Sequence, residues 1–441
     1  MIKFCLLLIL AMLLVPAVSA EARHVPAYLR VGLISRFGNR GSVGLSNTVI
    51  FFGHETFQSV GGFAVRPYGG SQVALYDGGQ RLTVADSPVN VADAHGGMVL
   101  LDGAPYRGSV DFVRLEHGVT AVNVVAIEEY LFSVVPSEMP AAWHLEALKA
   151  QAVAARTYTF HALSREGRVH TGFDLCDRVC CQVYRGADWE HPNSTAAVMA
   201  TTGLAMYFGG ELIDAVYFAS SGGVTENSEN VWQEARPYLR SVADLHEFEP
   251  VVWTRSFSLA EISHLLTQNR QGWVGAATDV RIGGLHASGR VESLEIHGTG
   301  GQLVLRREEI RTFFSPSADG SLQSRLFSLG GAVPVPAVAA PAESFAVLGG
   351  EQSAQIHGMF AVGAAGSPVQ LGASVAVHGL AVQQAVAAQP VHVPAGDRIV
   401  INGRGFGHGV GMSQRGAEGM ARHGYNFRQI LSHFYGGVTI E

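Results

Sequence analysis

The chain has 441 residues, of which 15% are charged and 53 are glycine, and its 37 acidic and 30 basic side chains give a formal charge of −7. Low charge with abundant glycine describes a large, loop-rich, well-buried globular body of one or two domains and excludes a disordered tail. The mild acidity excludes nucleic acid as a partner, which requires basic clusters.

Lys3 precedes an apolar run of twelve residues, Phe4 to Val15, and Val18-Ser-Ala20 supplies small residues at a cleavage point. That layout predicts a secretory signal over residues 1–20. The run is short for a membrane span, and no cysteine follows Ala20 to accept a lipid. The expected product is exported and soluble, in the periplasm, the cell wall or outside the cell. An uncleaved signal anchor is the alternative, and it would be the chain's only contact with a membrane. Removing residues 1–20 takes away one lysine and moves the charge from −7 to −8.

Four β-rich runs follow between Gly, Asn and Asp clusters: Tyr28 to Ile34, Gln80 to Val84, Met98 to Leu101 and Val110 to Leu115. They predict a β-rich N-terminal subdomain. Helical signal then concentrates at Glu128 to Val135 and at Pro140 to Leu163, with Pro140 suited to a first helical turn. Leu145, Leu148, Ala152, Ala155 and Thr159 share helical spacing and read as core. Lys149 and Arg156 lie on another face, either a solvated basic stripe or a surface that meets an anion.

The words Val134-Val-Pro-Ser-Glu138-Met-Pro140 leave Glu138 alone among apolar neighbours, at what reads as a strand-to-helix junction. Apolar surroundings disfavour an ionised carboxyl and raise its pKa, which suits Glu138 to general-acid work. The competing reading is a glutamate in a helix's N-terminal turn, stabilised by backbone amides.

Only Cys176, Cys180 and Cys181 survive removal of the leader, an awkward number for disulfides alone. With His170 they form His-x5-Cys-x3-Cys-Cys, compact enough to wrap a tetrahedral zinc with soft ligands. A disulfide from Cys176 to Cys180 or Cys181, and free thiols, are the other readings.

Residues 330–344 are a Pro/Ala stretch that cannot pair as a regular strand and reads as an extended connector. Residues 345–402 return to alternating Val, Ala and Gly, which predicts β-structure docked beside the main body. The closing word Ile399 to Gly416 reads as a strand, a glycine-rich turn and a helix. A dinucleotide-binding turn fails on context, since the chain ends before a complete βαβ unit. Glycine at every second position exposes backbone, so His408, Ser413 and Gln414 would supply polar contacts from a nearly bare floor. His408 is either part of a cleft wall or a satisfied core histidine.

Five words stand in one order along the chain: the Glu138 segment, Gln182-Val-Tyr-Arg-Gly186, Tyr217 to Ser228 with Val231-Trp232, Pro237-Tyr238-Leu239, and Gly403 to Ala417. In these the chain resembles the SpoIID/LytB family of exported cell-wall proteins, named after stage II sporulation protein D and the LytB amidase modifier. The resemblance spans roughly residues 110 to 441. It implies an α+β fold with a β-rich N-terminal subdomain, a helical segment at the catalytic glutamate and a Gly-rich C-terminal cleft wall. The layout it suggests is a signal peptide at 1–20, the β-rich subdomain at 21–115 and a catalytic core at 116–329. The connector at 330–344, a β-rich insertion at 345–400 and a C-terminal motif at 401–441 that completes the cleft would follow.

The family resembles both an enzyme that cleaves glycan strands by lytic transglycosylation and a modifier of separate amidases. The enzyme reading implies Glu138 as general acid and base on the MurNAc–GlcNAc bond of peptide-stripped peptidoglycan strands. Tyr238 would be its catalytic partner, as a hydrogen-bond donor or a sugar-stacking ring, against the reading of a half-buried core tyrosine. Arg156, Ser220, Ser221, Thr225, Asn227, His408 and Gln414 are the implied substrate contacts. The serines at 220 and 221 lack the nucleophile-elbow spacing of a serine hydrolase. The implied metal set is His170, Cys176, Cys180 and Cys181, around a structural zinc that catalysis does not require. Relatives carry two cysteines and two histidines there, and Cys180 stands where a histidine is expected. The second reading is a glycan-binding enhancer of a cell-wall amidase.

Overall fold

The computed structural model describes residues 27–115, 117–164, 170–331, 333, 360–362, 368–370 and 398–441. The expected signal at 1–20 lies outside these residues, as do most of the connector and most of the insertion. Strands in several sheets combine with separate helices, an α+β fold.

The first half is built on two sheets. The larger has seven strands and runs Leu175–Cys176, Tyr28–Gly32, Gly118–Ala126, Ser109–Leu115, Val89–Asp93, Val49–Phe52, Glu55–Gln58. The second has six and includes Phe63–Tyr68, Gln72–Asp77 and Gln80–Asp86. Three of the four β-rich runs form strands nearly as expected, and Met98 to Leu101 does so from Val99 onward. Gly118–Ala126 is almost wholly buried because it lies between two antiparallel partners, Tyr28–Gly32 and Ser109–Leu115, in a covered part of the sheet. Tyr28–Gly32 also pairs in parallel with Leu175–Cys176, which ties the cysteine loop to the sheet edge.

From Gly118–Ala126 the chain enters the helix Ile127–Glu138, and the helix Leu145–Ser164 follows. Leu148, Ala152, Ala155 and Thr159 are fully buried, but Leu145 is exposed. Pro140 does not open the second helix. Residues 140–144 form a turn, and the His144 side chain takes the first free amide instead, with Nδ1 accepting from Glu146 N at 3.2 Å.

A second hydrophobic core, separate from the first, gathers Trp253, Phe257, Leu266, Leu294, Phe314 and Phe327. It is fed by the helix Leu259–Gln268, started by a Ser258/Glu261 capping box, and by the strands Ala277–Leu285, Val291–Gly298 and Gly301–Arg306. The strand Arg398–Arg404 closes this lobe, pairing antiparallel with both Val252–Ser258 and Phe327–Leu329. Of the expected β-insertion, Phe360–Val362 pairs with Pro368–Gln370. No helix among the described residues is long and apolar enough to cross a membrane.

Candidate active site

Glu138 is the last residue of its helix, not a residue at a strand-to-helix junction, and Met139 leaves in extended conformation. The difference matters electrostatically. A helix C-terminus carries partial negative charge and disfavours a carboxylate, where an N-terminus would favour one. Burial raises the Glu138 pKa, opposed by hydrogen bonds from Val183 N and the Gln414 side chain and by the charge of Arg185. Val183 N donates to Oε1 at 2.8 Å.

The carboxyl faces a cleft of about 590 Å³. The cysteine loop gives one wall with Val179, Cys180 and Cys181, and the strand Tyr217–Phe218 gives another. Trp232 and Phe406, both partly exposed, stand with His408 and Gln414 around the rest. Gln414 is held at the start of the helix Gln414–Arg422, where Ser413 Oγ accepts from Gly416 N at 3.0 Å. Gly407 also lines the cleft, at φ +112°, and a Cβ there would come within 2.7 Å of Phe218 Cβ. Glycine is required at that point on both counts.

His408 is both a cleft residue and a satisfied one. Its Nδ1 accepts from Val410 N at 3.1 Å, which leaves Nε2–H to donate to Tyr217 O, also at 3.1 Å. Burial, aided by the Arg311 charge, pushes its pKa down to about 3, so the ring is neutral at any working pH. Its ring holds the Tyr217 carbonyl in place.

The other residues proposed from the sequence lie elsewhere. Arg156 is fully buried and clasps Glu128, with Nε to Oε1 at 2.8 Å and Nη2 to Oε2 at 2.6 Å. It also donates to Leu204 O, so it ties neighbouring segments together and neither lines the cleft nor forms a solvated stripe. Lys149 pairs with Glu146 one turn away. Tyr238 is buried, with its hydroxyl accepting from Asp214 N and Arg236 Nη1 and its ring against Phe208, and it is not among the cleft-lining residues.

Ser220 Oγ donates to Glu247 Oε1 at 2.6 Å and Ser221 Oγ to Asp244 Oδ2 at 2.7 Å. Thr225 Oγ1 accepts from Val242 N, and Asn227 Oδ1 from Ser241 N. None of the four lines the cleft, and their side chains are engaged by carboxylates and backbone amides of the 241–247 segment. Tyr217, Trp232 and Phe406 are cleft residues that the sequence reading passed over. All three lie inside the five words, and only Phe406, between Gly405 and Gly407, carries a local signal of exposure.

His170 Nε2 lies 3.2 Å from Cys181 Sγ, and Cys176 Sγ lies 2.9 Å from Cys180 Sγ and 3.3 Å from Cys181 Sγ. The three cysteines are free. Ligand atoms of His170, Cys176 and Cys181 fall within 4.8 Å of one another, so this group could hold a metal ion. Burial raises all three thiol pKa values.

Residues 115–208 match the SpoIID family model, described as stage II sporulation protein, and residues 246–350 match a domain of unknown function, DUF8618. The chain is 30% identical to the amidase enhancer of Bacillus subtilis (strain 168) over 355 residues, 78% of this chain and 45% of that protein. It therefore spans less than half of that relative's length. It is 28% identical over 337 residues to stage II sporulation protein D of the same organism, 73% of this chain and 76% of the relative. An uncharacterised protein of Brachyspira hyodysenteriae is 28% identical over 349 residues, 77% of this chain and 73% of its own. With the five sequence words gathered around one folded body, the chain carries a SpoIID domain over residues 115–208 and is similar over most of its length to stage II sporulation protein D and to the amidase enhancer.

Proposed function

We propose that this chain is an exported peptidoglycan lytic transglycosylase. It cleaves MurNAc–GlcNAc bonds of peptide-stripped glycan strands and leaves 1,6-anhydroMurNAc ends. One observation carries this reading: among the described residues Glu138 is the sole carboxylate lining the cleft, and burial raises its pKa.

Hydrolysis of a glycoside ordinarily takes two carboxyl groups, the second to activate water or attack the sugar. A muramic acid unit brings its own nucleophile in the C6 hydroxyl, so one carboxyl suffices. Glu138 gives its proton to the leaving glycosidic oxygen as the C1–O bond breaks. Its carboxylate then takes the C6 hydroxyl proton as that oxygen bonds to C1, which restores the acid. Internal attack gains from proximity. Val183 N–H and the Gln414 amide steady the carboxylate during the charged half of the cycle. Trp232 and Phe406 offer ring faces to a sugar at the cleft mouth.

His170, Cys176 and Cys181, with Cys180 adjoining, suit a structural zinc, since a borderline-soft ion takes thiolate and imidazole ligands. Such an ion would close the cysteine loop. Bond cleavage does not need it.

The second reading is a non-catalytic glycan-binding enhancer of a cell-wall amidase, and the similarity to an amidase enhancer favours it. Mass spectrometry of digested, peptide-free strands separates the two. The enzyme yields anhydro ends and the Glu138→Gln protein yields none. An enhancer yields none in either form and stimulates an amidase equally well in both.

A further inference from the structure

Gln182 is buried and uses its carboxamide fully. Nε2 donates to Ala155 O at 3.3 Å and to Tyr217 Oη at 3.0 Å. Oε1 accepts from Tyr130 Oη at 3.2 Å and Thr159 Oγ1 at 2.9 Å. A backbone carbonyl can only accept, so the Ala155 contact favours nitrogen at that end of the amide, and the Thr159 hydroxyl, also 2.9 Å from Ala155 O, then gives its one hydrogen to Gln182 Oε1. The Tyr217 oxygen is therefore an acceptor towards Gln182, and its own hydrogen is free for another partner. Among the described residues no hydrogen bond takes that hydrogen, and the ring lines the same cleft as Glu138.

Tyr217 is also fixed from behind. Its carbonyl accepts from His408 Nε2, and its strand pairs in parallel with Met412–Ser413. Placement of this kind is what a preorganised donor needs, because no reorganisation is then left for the moment of reaction.

Resting on the transglycosylase reading above, we propose that Tyr217 is a second catalytic residue, donating its phenolic hydrogen bond to the glycosidic oxygen as that oxygen leaves. Negative charge builds on the oxygen while the C1–O bond stretches, and the phenol stabilises it until the proton of Glu138 arrives. Tyr217 keeps its own proton throughout. The proton that moves goes from Glu138 to the leaving oxygen and is replaced from the C6 hydroxyl. Burial, followed by the proximity of Glu138, raises the phenol pKa well above its ordinary value, which keeps the donor neutral.

Two variants test this. Tyr217→Phe removes the hydroxyl, and O-methyltyrosine placed at 217 by codon suppression keeps an oxygen to accept from Gln182 but has no hydrogen to give. The expected result is a fall in kcat of about 100-fold in both, with KM within about threefold of the parent. A kcat within about threefold of the parent in both variants overturns the proposal. Loss in Tyr217→Phe with activity kept in the O-methyl protein also overturns it, because the oxygen would then serve only Gln182. Glu138→Gln is assayed alongside. If it is inactive while the Tyr217 variants are not, the Tyr217 role falls and the transglycosylase reading stands. If the parent makes no anhydro ends, that reading falls and takes the Tyr217 role with it.

Discussion

Val183 N donates to Glu138 Oε1 at 2.8 Å, and Val183 stands two residues after Cys181, whose sulfur is 3.2 Å from His170 Nε2. The cysteine loop is thus coupled to the acid's position by a very short piece of backbone. Protein purified anaerobically should carry close to one equivalent of zinc, and a chelator should lower its melting temperature. Metal binding requires thiolates, so zinc should be lost more readily as pH falls. Less than half an equivalent by elemental analysis would count against a metal at this loop.

Arg185 opposes the rise in the Glu138 pKa. An acid catalyst works while protonated, so activity falls as pH rises through its pKa. Arg185→Gln removes the opposing charge, raises that pKa further, and should move the alkaline limb of kcat/KM to higher pH. Arg185 is exposed, so the displacement should shrink in high salt. A limb that stays put or moves down in low salt would contradict this.

Asp244 lies behind the cleft, buried between Ser221 and Ser413, and burial together with the Glu247 charge pushes its carboxyl up to about 7. In the unfolded chain it titrates near 3.8. Between these values the folded protein holds a proton that the unfolded chain has lost. This contribution to stability is fully present below about pH 4 and is lost as pH rises through about 7, an effect of at most about 4 kcal/mol. Urea melts of Asp244→Asn should be flatter with pH than those of the parent across that window. Parallel curves would remove the assignment.

Arg156→Met should destabilise by about 2–4 kcal/mol, below the upper range for a buried pair because Glu128 remains 26% exposed. KM per folded molecule should be unchanged. A rise in KM without loss of stability would return Arg156 to the substrate.

Trp232 stands partly exposed with its ring centroid 4.9 Å from that of His408. If it stacks on a sugar, Trp232→Ala should raise KM by about 3–10-fold and leave kcat nearly constant, as judged from reducing-end-labelled strands.

Local pattern revealed what local physics decides. The strands Tyr28–Gly32 and Ser109–Leu115, the buried stripe of Leu148, Ala152 and Ala155, and the strand-turn-helix order ending in Gln414–Arg422 could all be read from spacing. The second lobe could not, because its closing strand Arg398–Arg404 meets Val252–Ser258 across roughly 140 residues of sequence. Pro140 misled because proline is tolerated both in a first helical turn and in the turn before it, and the His144 cap that decides between them carries no strong signature. At the site, Glu138, His408 and Gln414 do share one cleft. Ser220, Ser221, Thr225 and Asn227 face inward because short hydroxyl and amide groups satisfy backbone as readily as they bind ligands. No pattern in the chain distinguishes those uses.

In the proposed mechanism one carboxyl breaks a saccharide bond without activated water. Digestion of peptide-free glycan strands in water enriched in the heavy oxygen isotope tests it directly. The new ends should be anhydro sugars free of the label, and their formation should vanish in Glu138→Gln. Reducing ends that carry the heavy isotope would mean that water is the nucleophile, and the single-acid mechanism would be wrong.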